Sequence, residues 1–174
     1  MTLVVVVYPE IEKNDYQWIQ DYRERYDELY FKEIGPHFTL VFPVFNYSDE
    51  KVVINHIESC LRKSKSFEFT LDHAVINDDA FNDYWHTFLV PGEGYEEIIK
   101  LHGILYTGPL AKELRTDLQF IPHVGIGNSK NKEIITEQVN MLNSDGINIH
   151  GSIKRIDICR YDDKVITIKT ITLR

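Results

Sequence analysis

GPHFTLVF at residues 35–42 comes back, altered, as IPHVGIG at residues 121–127. Each stretch places a histidine directly after a proline and continues apolar–X–apolar, with Thr39 as X in the first copy and Gly125 in the second. Alternation of this kind has the period of a strand. Over 35–45 it sets His37, Thr39 and Val41 on one face and Phe38, Leu40 and Phe42 on the other, so an imidazole stands beside a hydroxyl. The second copy predicts a strand over 120–127. One histidine in such a strand reads as a packed residue satisfying a hydrogen bond at the strand end. Two proline-flanked copies 86 residues apart, about half the chain, read as a pair aimed at one place.

The flanking segments repeat as well. TLVVVVY at 2–8 is a continuous β-branched run, expected as a strand buried on both faces and ended by Pro9. Trp18, Tyr22, Tyr26 and Leu29 recur at helical spacing between Asp15 and about Glu33 and are read as the core face of an amphipathic helix. After the first motif, Ser48 or Asp49 caps a helix running to about Lys63, followed by strands at 66–76 and 84–90. A third helix carries Tyr95, Ile98, Ile99, His102, Leu105 and Tyr106 inward and stops at Gly108-Pro109. After the second motif come a helix at about 131–143 and strands at 147–161 and 165–173, joined as a hairpin through Asp162-Asp163-Lys164. Motif strand, helix and two strands thus occur once over 35–90 and again over 120–173. The expectation is a single α+β domain spanning 1–174, whose two halves face each other across a pseudo-dyad.

Composition narrows the function. The chain has 174 residues, 43% hydrophobic and 26% charged, enough for one sizeable core. A formal charge of −8 opposes wrapping a long nucleic-acid duplex, because that affinity comes from cations neutralising many phosphates. A small or end-on anionic ligand fits better. Residues 128–174 hold 8 Lys and Arg against 6 Asp and Glu and form the net basic part of the chain. Lys154, Arg155 and Arg160 are candidates there for steering a phosphate. Cys60 and Cys159 lie far apart without metal-like spacing and read as reduced thiols of a cytosolic, cytoplasmic protein. The apolar run Leu3–Val7 lacks a basic leader and reads as a core strand, neither a signal peptide nor a membrane span. The expected state is a monomer with no membrane partner.

Two imidazoles facing each other across a groove suit general acid–base chemistry, because one takes a proton from a nucleophile while the other protonates a leaving group near neutral pH. Thr39 beside the first imidazole supplies a hydroxyl for a phosphate oxygen on which charge develops. His56, His73, His86, His102 and His150 share no short metal-binding spacing, so no metal site is expected. His102 reads as a satisfied core residue, and His86 is kept as a remote site candidate. Tyr8, Phe42 and Trp85 are candidates for stacking on a base, and Asn128 for reaching a phosphate oxygen.

These residues resemble the two-histidine phosphoesterase superfamily, the group of 2′-5′ RNA ligase-like proteins and cyclic nucleotide phosphodiesterases. Its hallmark is a pair of His-X-Thr/Ser-X motifs on strands of two pseudo-symmetric lobes. HFTL at 37–40 matches it in full, and HVGI at 123–126 keeps the histidine and the alternation but has Gly125 in place of the hydroxyl. LHGILYTGPL at 101–110 and the stretch FIPHVGIG are also similar to bacterial members, and the likeness covers essentially the whole chain. The resemblance implies antiparallel sheets facing a central cleft with helices packed outside. It also implies metal-independent, cofactor-free hydrolysis of 2′,3′-cyclic phosphate or 2′-5′ phosphodiester bonds in small nucleotides or RNA ends, with ligation as the reverse. His37 and His123 would be the acid–base pair and Thr39 the phosphate contact. A lost donor of this type typically costs about 2.7–4 kcal/mol. Gly125 counters this if its bare backbone admits the phosphate closely. Two other readings remain at this point: a non-catalytic nucleotide or RNA-end binding module, and a metal-dependent hydrolase.

Overall fold

The computed structural model describes every residue except Met1, Asn46, Ser48, Phe81 and Asp163. Its elements run β1 (Thr2–Val7), β2 (Glu10–Ile11), α1 (Lys13–Tyr26), β3 (Phe38–Phe45), α2 (Glu50–Leu61), β4 (Phe67–Asp78), β5 (Trp85–Pro91), α3 (Tyr95–Leu105), β6 (Val124–Ser129), α4 (Lys132–Asp145), β7 (Ile149–Ile153), β8 (Arg155–Tyr161) and β9 (Val165–Thr172). A 3₁₀ turn occupies Gly108–Glu113. The strands form two sheets, ordered β3-β1-β8-β9 and β2-β7-β4-β5-β6, with every pairing antiparallel. The α+β arrangement with helices outside two antiparallel sheets is as the sequence predicts.

Strand β1 is buried along its whole length, and the two sides of its pleat serve different purposes. Leu3, Val5 and Val7 join the main core, whereas Val4 and Val6 turn the other way with Cys159. Helices α2 and α3 lie against the first sheet, and α1 and α4 against the second. Each motif strand is an edge: β3 closes one side of the first sheet and β6 one side of the second. The hairpin after β3 enters the second sheet, and the hairpin β8–β9 after β6 enters the first. This exchange ties the two sheets together.

Both motif strands also carry a register shift at the same step. In β3, Thr39 pairs with Val6 but Val41 already pairs with Val5, so Leu40 is an extra residue. In β6, Gly125 pairs with Phe88 and Gly127 with Thr87, leaving Ile126 extra. A bulge of this type turns the following side chains to the opposite face. Val41 is therefore fully buried in the core, not beside Thr39, and Phe42 faces the space between the sheets. The open edge of β3 is covered by α3: His102 Nδ1 donates to the Leu40 carbonyl at 2.9 Å, and the Phe42 N–H donates to the Tyr106 hydroxyl at 2.9 Å. These two side chains satisfy main-chain groups that an edge strand otherwise leaves unpaired.

Two predicted elements need correction. The first helix ends at Tyr26, not near Glu33, and its buried face is Ile19 and Arg23, whereas Trp18 and Tyr26 are exposed. It stops because Asp27 turns its carboxylate to the following turn, accepting from the Tyr30 N–H at 2.9 Å. The expected strand 147–161 is two strands in different sheets, divided at Lys154. Ile153 and Ile156 are both fully buried three residues apart, so the alternation slips there by one. Asp49 caps α2 through the Lys51 N–H at 2.8 Å, and Ser48, the alternative cap, lies outside the described residues, as does Asp163 of the last turn.

Candidate active site

His37 and His123 each stand one residue before their strand, and each ring is tethered to the carbonyl two residues back. His37 Nδ1 donates to Gly35 at 2.8 Å and His123 Nδ1 to Ile121 at 2.6 Å. A carbonyl only accepts, so in both rings Nδ1 carries the hydrogen and Nε2 keeps its lone pair. Both histidines line one cavity of about 610 Å³ between the sheets, together with Val6, Thr39 and Phe42 from the first sheet and His86, Phe88, Gly125 and Asn128 from the second. Burial pushes both imidazoles from the ordinary value down to about 4, opposed in each by its bond to the carbonyl. Among the smaller contributions, Arg23 lowers and Asp27 raises His37, while His37 and His86 both lower His123. The unliganded pair is therefore neutral at pH 7.

The partners two residues on differ. Thr39 brings its side chain to the cavity wall. At Gly125 a Cβ would meet the Phe88 ring no closer than 3.9 Å, an ordinary contact, and its φ lies outside the left-handed region. Neither packing nor backbone conformation requires glycine there. The Phe88 ring instead lies flat on the His123 imidazole, with centroids 3.5 Å apart and planes at 12°. His86 stacks on the other side of the series, 5.6 Å from Phe88 and 6.3 Å from Tyr30.

Two further clusters stand in this wall, and sequence reasoning missed the first. Arg23, 1% exposed, binds Asp27 at 2.9 Å and donates to the carbonyls of Tyr30 and Ile34, locking residues 27–34 against the cavity. The i,i+4 spacing of Arg23 and Asp27 was the available signal, obscured by the aromatic stripe on the same helix. The other cluster is His86, kept as a remote candidate, whose Nε2 meets Asp79 Oδ2 at 2.7 Å.

The remaining candidates fall as follows. The Asn128 amide nitrogen donates to Asp27 Oδ1 at 2.6 Å, and its Oδ1 is the buried side-chain polar atom left without a partner among the described residues. That leftover group is an acceptor, which a phosphate oxygen does not complement. Tyr8 is not part of the cavity wall and instead backs the His37 ring at 6.3 Å, its own pKa pushed up to about 12 by burial. Trp85 is covered by the Lys132 ammonium at 4.1 Å. Lys154 and Arg155 are paired with Glu10, and Arg160 holds Glu50 through two bonds of 2.6 Å. None of these three cations lines the cavity, so the steering expected of them has no support in the geometry. His102, buried and hydrogen-bonded, is the satisfied core residue that the sequence predicts. No helix of the described residues is long and apolar enough to cross a membrane.

A family model for the 2′-5′ RNA ligase superfamily matches residues 10–165. Among solved structures, Escherichia coli LigT complexed with 3′-AMP is similar over 98% of this chain and 97% of its own, at 15% identity and a TM-score of 0.60. Kluyveromyces marxianus Usb1 is similar over 99% and 98% at 11% identity and a TM-score of 0.59, and a second structure of it holds uridine monophosphate. No curated protein matches the chain at the sequence level.

Proposed function

Because the chain belongs to the 2′-5′ RNA ligase superfamily, we propose that it is a metal-independent phosphodiesterase acting on 2′,3′-cyclic phosphate or 2′-5′ bonds of small nucleotides or RNA ends. The observation that carries this reading is the pair of imidazoles with matching Nδ1 tethers in one cavity. In hydrolysis, Nε2 of one histidine takes a proton from water as the water oxygen bonds to phosphorus. The Nε2–H of the other gives its proton to the departing ribose oxygen, so one proton is taken up and one released. The reverse sequence makes the ester. Chemistry needs one neutral and one protonated ring, whereas burial keeps both neutral. A bound phosphodiester monoanion supplies the compensation, because an adjacent negative charge favours the imidazolium. Thr39 donates to a non-bridging oxygen, and at Gly125 a backbone N–H or a water takes that place. LigT bound to 3′-AMP and Usb1 bound to uridine monophosphate lend support to a nucleotide ligand.

The test is a panel of 2′,3′-cyclic nucleotides and 2′-5′ dinucleotides incubated with the protein in EDTA. Turnover of at least one is expected, and loss of all activity on chelation would indicate a metal-dependent hydrolase. Gly125 favours a second reading, a nucleotide-binding module that has lost turnover. Tight binding across the panel with no product at any pH would establish it.

A further inference from the structure

The cavity around the two histidines is acidic. Among the described residues its wall carries Arg23 as the one Lys or Arg, against Asp27, Glu33, Asp78 and Asp79. Arg23 is 1% exposed and commits four of its five N–H groups: Nε donates to Asp27, Nη1 to Gln20, and Nη2 to the Tyr30 and Ile34 carbonyls. Asp27 neutralises it and is itself held by the Tyr30 N–H and the Asn128 amide. His86 Nε2 is bonded to Asp79 Oδ2 at 2.7 Å. That leaves Glu33 and Asp78, both exposed, at the wall, where among the described residues Arg23 is the one Lys or Arg. In the C-terminal hairpin Lys154 and Arg155 pair with Glu10, Arg160 with Glu50 and Lys169 with Glu58, and none of these four lines the cavity.

We propose that this cavity selects substrates whose single negative charge is the reacting phosphodiester, and rejects the same nucleotide when it carries an additional phosphomonoester. This rests on the phosphodiesterase reading and specifies its substrate class. Two neutral imidazoles and a threonine hydroxyl accommodate one charge, which the rings offset by taking up a proton. A phosphomonoester adds about 1.5–2 negative charges at pH 7. Facing carboxylates in a water-accessible cavity, that extra charge weakens binding by about tenfold, a modest effect that salt reduces. The same wall hastens release after a cyclic phosphate is opened, since the product has gained charge at the phosphate.

Affinities of adenosine 2′,3′-cyclic phosphate and of its 5′-phosphorylated form for the unaltered protein, measured as competition constants against a common substrate or, where nothing is turned over, by calorimetry, test this with both imidazoles in place. The 5′-phosphorylated form is expected to bind about tenfold more weakly at low salt. Adding Glu33→Gln and Asp78→Asn, both at exposed positions, is expected to bring the two within about threefold, as is high salt. Equal or tighter binding of the 5′-phosphorylated form overturns the proposal, as does a gap that neutralising the wall leaves unchanged. Binding of neither probe overturns it together with the phosphodiesterase reading. A charge-dependent gap in a protein whose unaltered form turns over no substrate upholds the charge selection and overturns only the catalytic reading.

Discussion

The two motif segments hold their histidines alike and surround them differently. In each, a proline precedes the histidine, Nδ1 is tied to the carbonyl two residues back, and a bulge follows the residue two positions on. Around His37 stand Thr39 and the Arg23–Asp27 pair; around His123 stand the flat ring of Phe88, the bare Gly125 and the His86–Asp79 pair. The fold repeats what aims an imidazole and leaves its neighbours free to diverge. A hydroxyl serves one half; an aromatic plane fixes the ring in the other.

The largest effect expected is on the shared part. His37→Ala and His123→Ala are each expected to lower kcat by about 10²–10⁴-fold, and the double variant to fall little further, because the two rings act as one unit. Single-turnover assays check this. Next comes the part that differs. Thr39→Val is expected to cost about 10²-fold in kcat by removing the phosphate donor. Gly125→Ser, whose Cβ has room, is expected to leave stability nearly unchanged and to alter kcat by less than about tenfold, against the 10²–10³ a missing donor costs. A gain of 10²-fold would mean that the second half simply lacks its donor.

Much of this contrast was legible in the sequence. The paired Pro-His strands, the helices between them and the α+β class follow from periodicity and punctuation, because those signals are local. The bulges were not legible, since Leu40 and Ile126 continue the apolar pattern and only the pairing to β1 and β5 shows them to be extra. Phe42 accordingly turned up on the face opposite to the one its parity predicts. Nor did the pattern reveal Arg23 as a buried residue: its burial depends on acceptors seven and eleven residues away along the chain. The division of 147–161 between two sheets lay in a single slip of spacing at Lys154.

Acid should separate the halves from ordinary surface histidines. Both rings are held at about 4 in the folded protein against about 6.5 when unfolded, so below about 6.5 the unfolded chain binds more protons. Their contribution to stability is complete above that value and is lost as pH falls toward 4. Chemical denaturation at pH 5 is expected to show His123→Gln less acid-sensitive than the unaltered protein, with the difference vanishing at pH 8. The smallest effect belongs to the hairpin cations. Arg160→Ala breaks a partly exposed pair with Glu50 and is expected to leave the denaturation midpoint nearly unchanged and KM unchanged.

The most direct test of the matched-histidine claim is turnover of adenosine 2′,3′-cyclic phosphate in EDTA by four proteins: unaltered, His37→Ala, His123→Ala and the double variant. Turnover by the first is expected, with the other three falling to nearly the same low rate. Activity that survives either single substitution would contradict it.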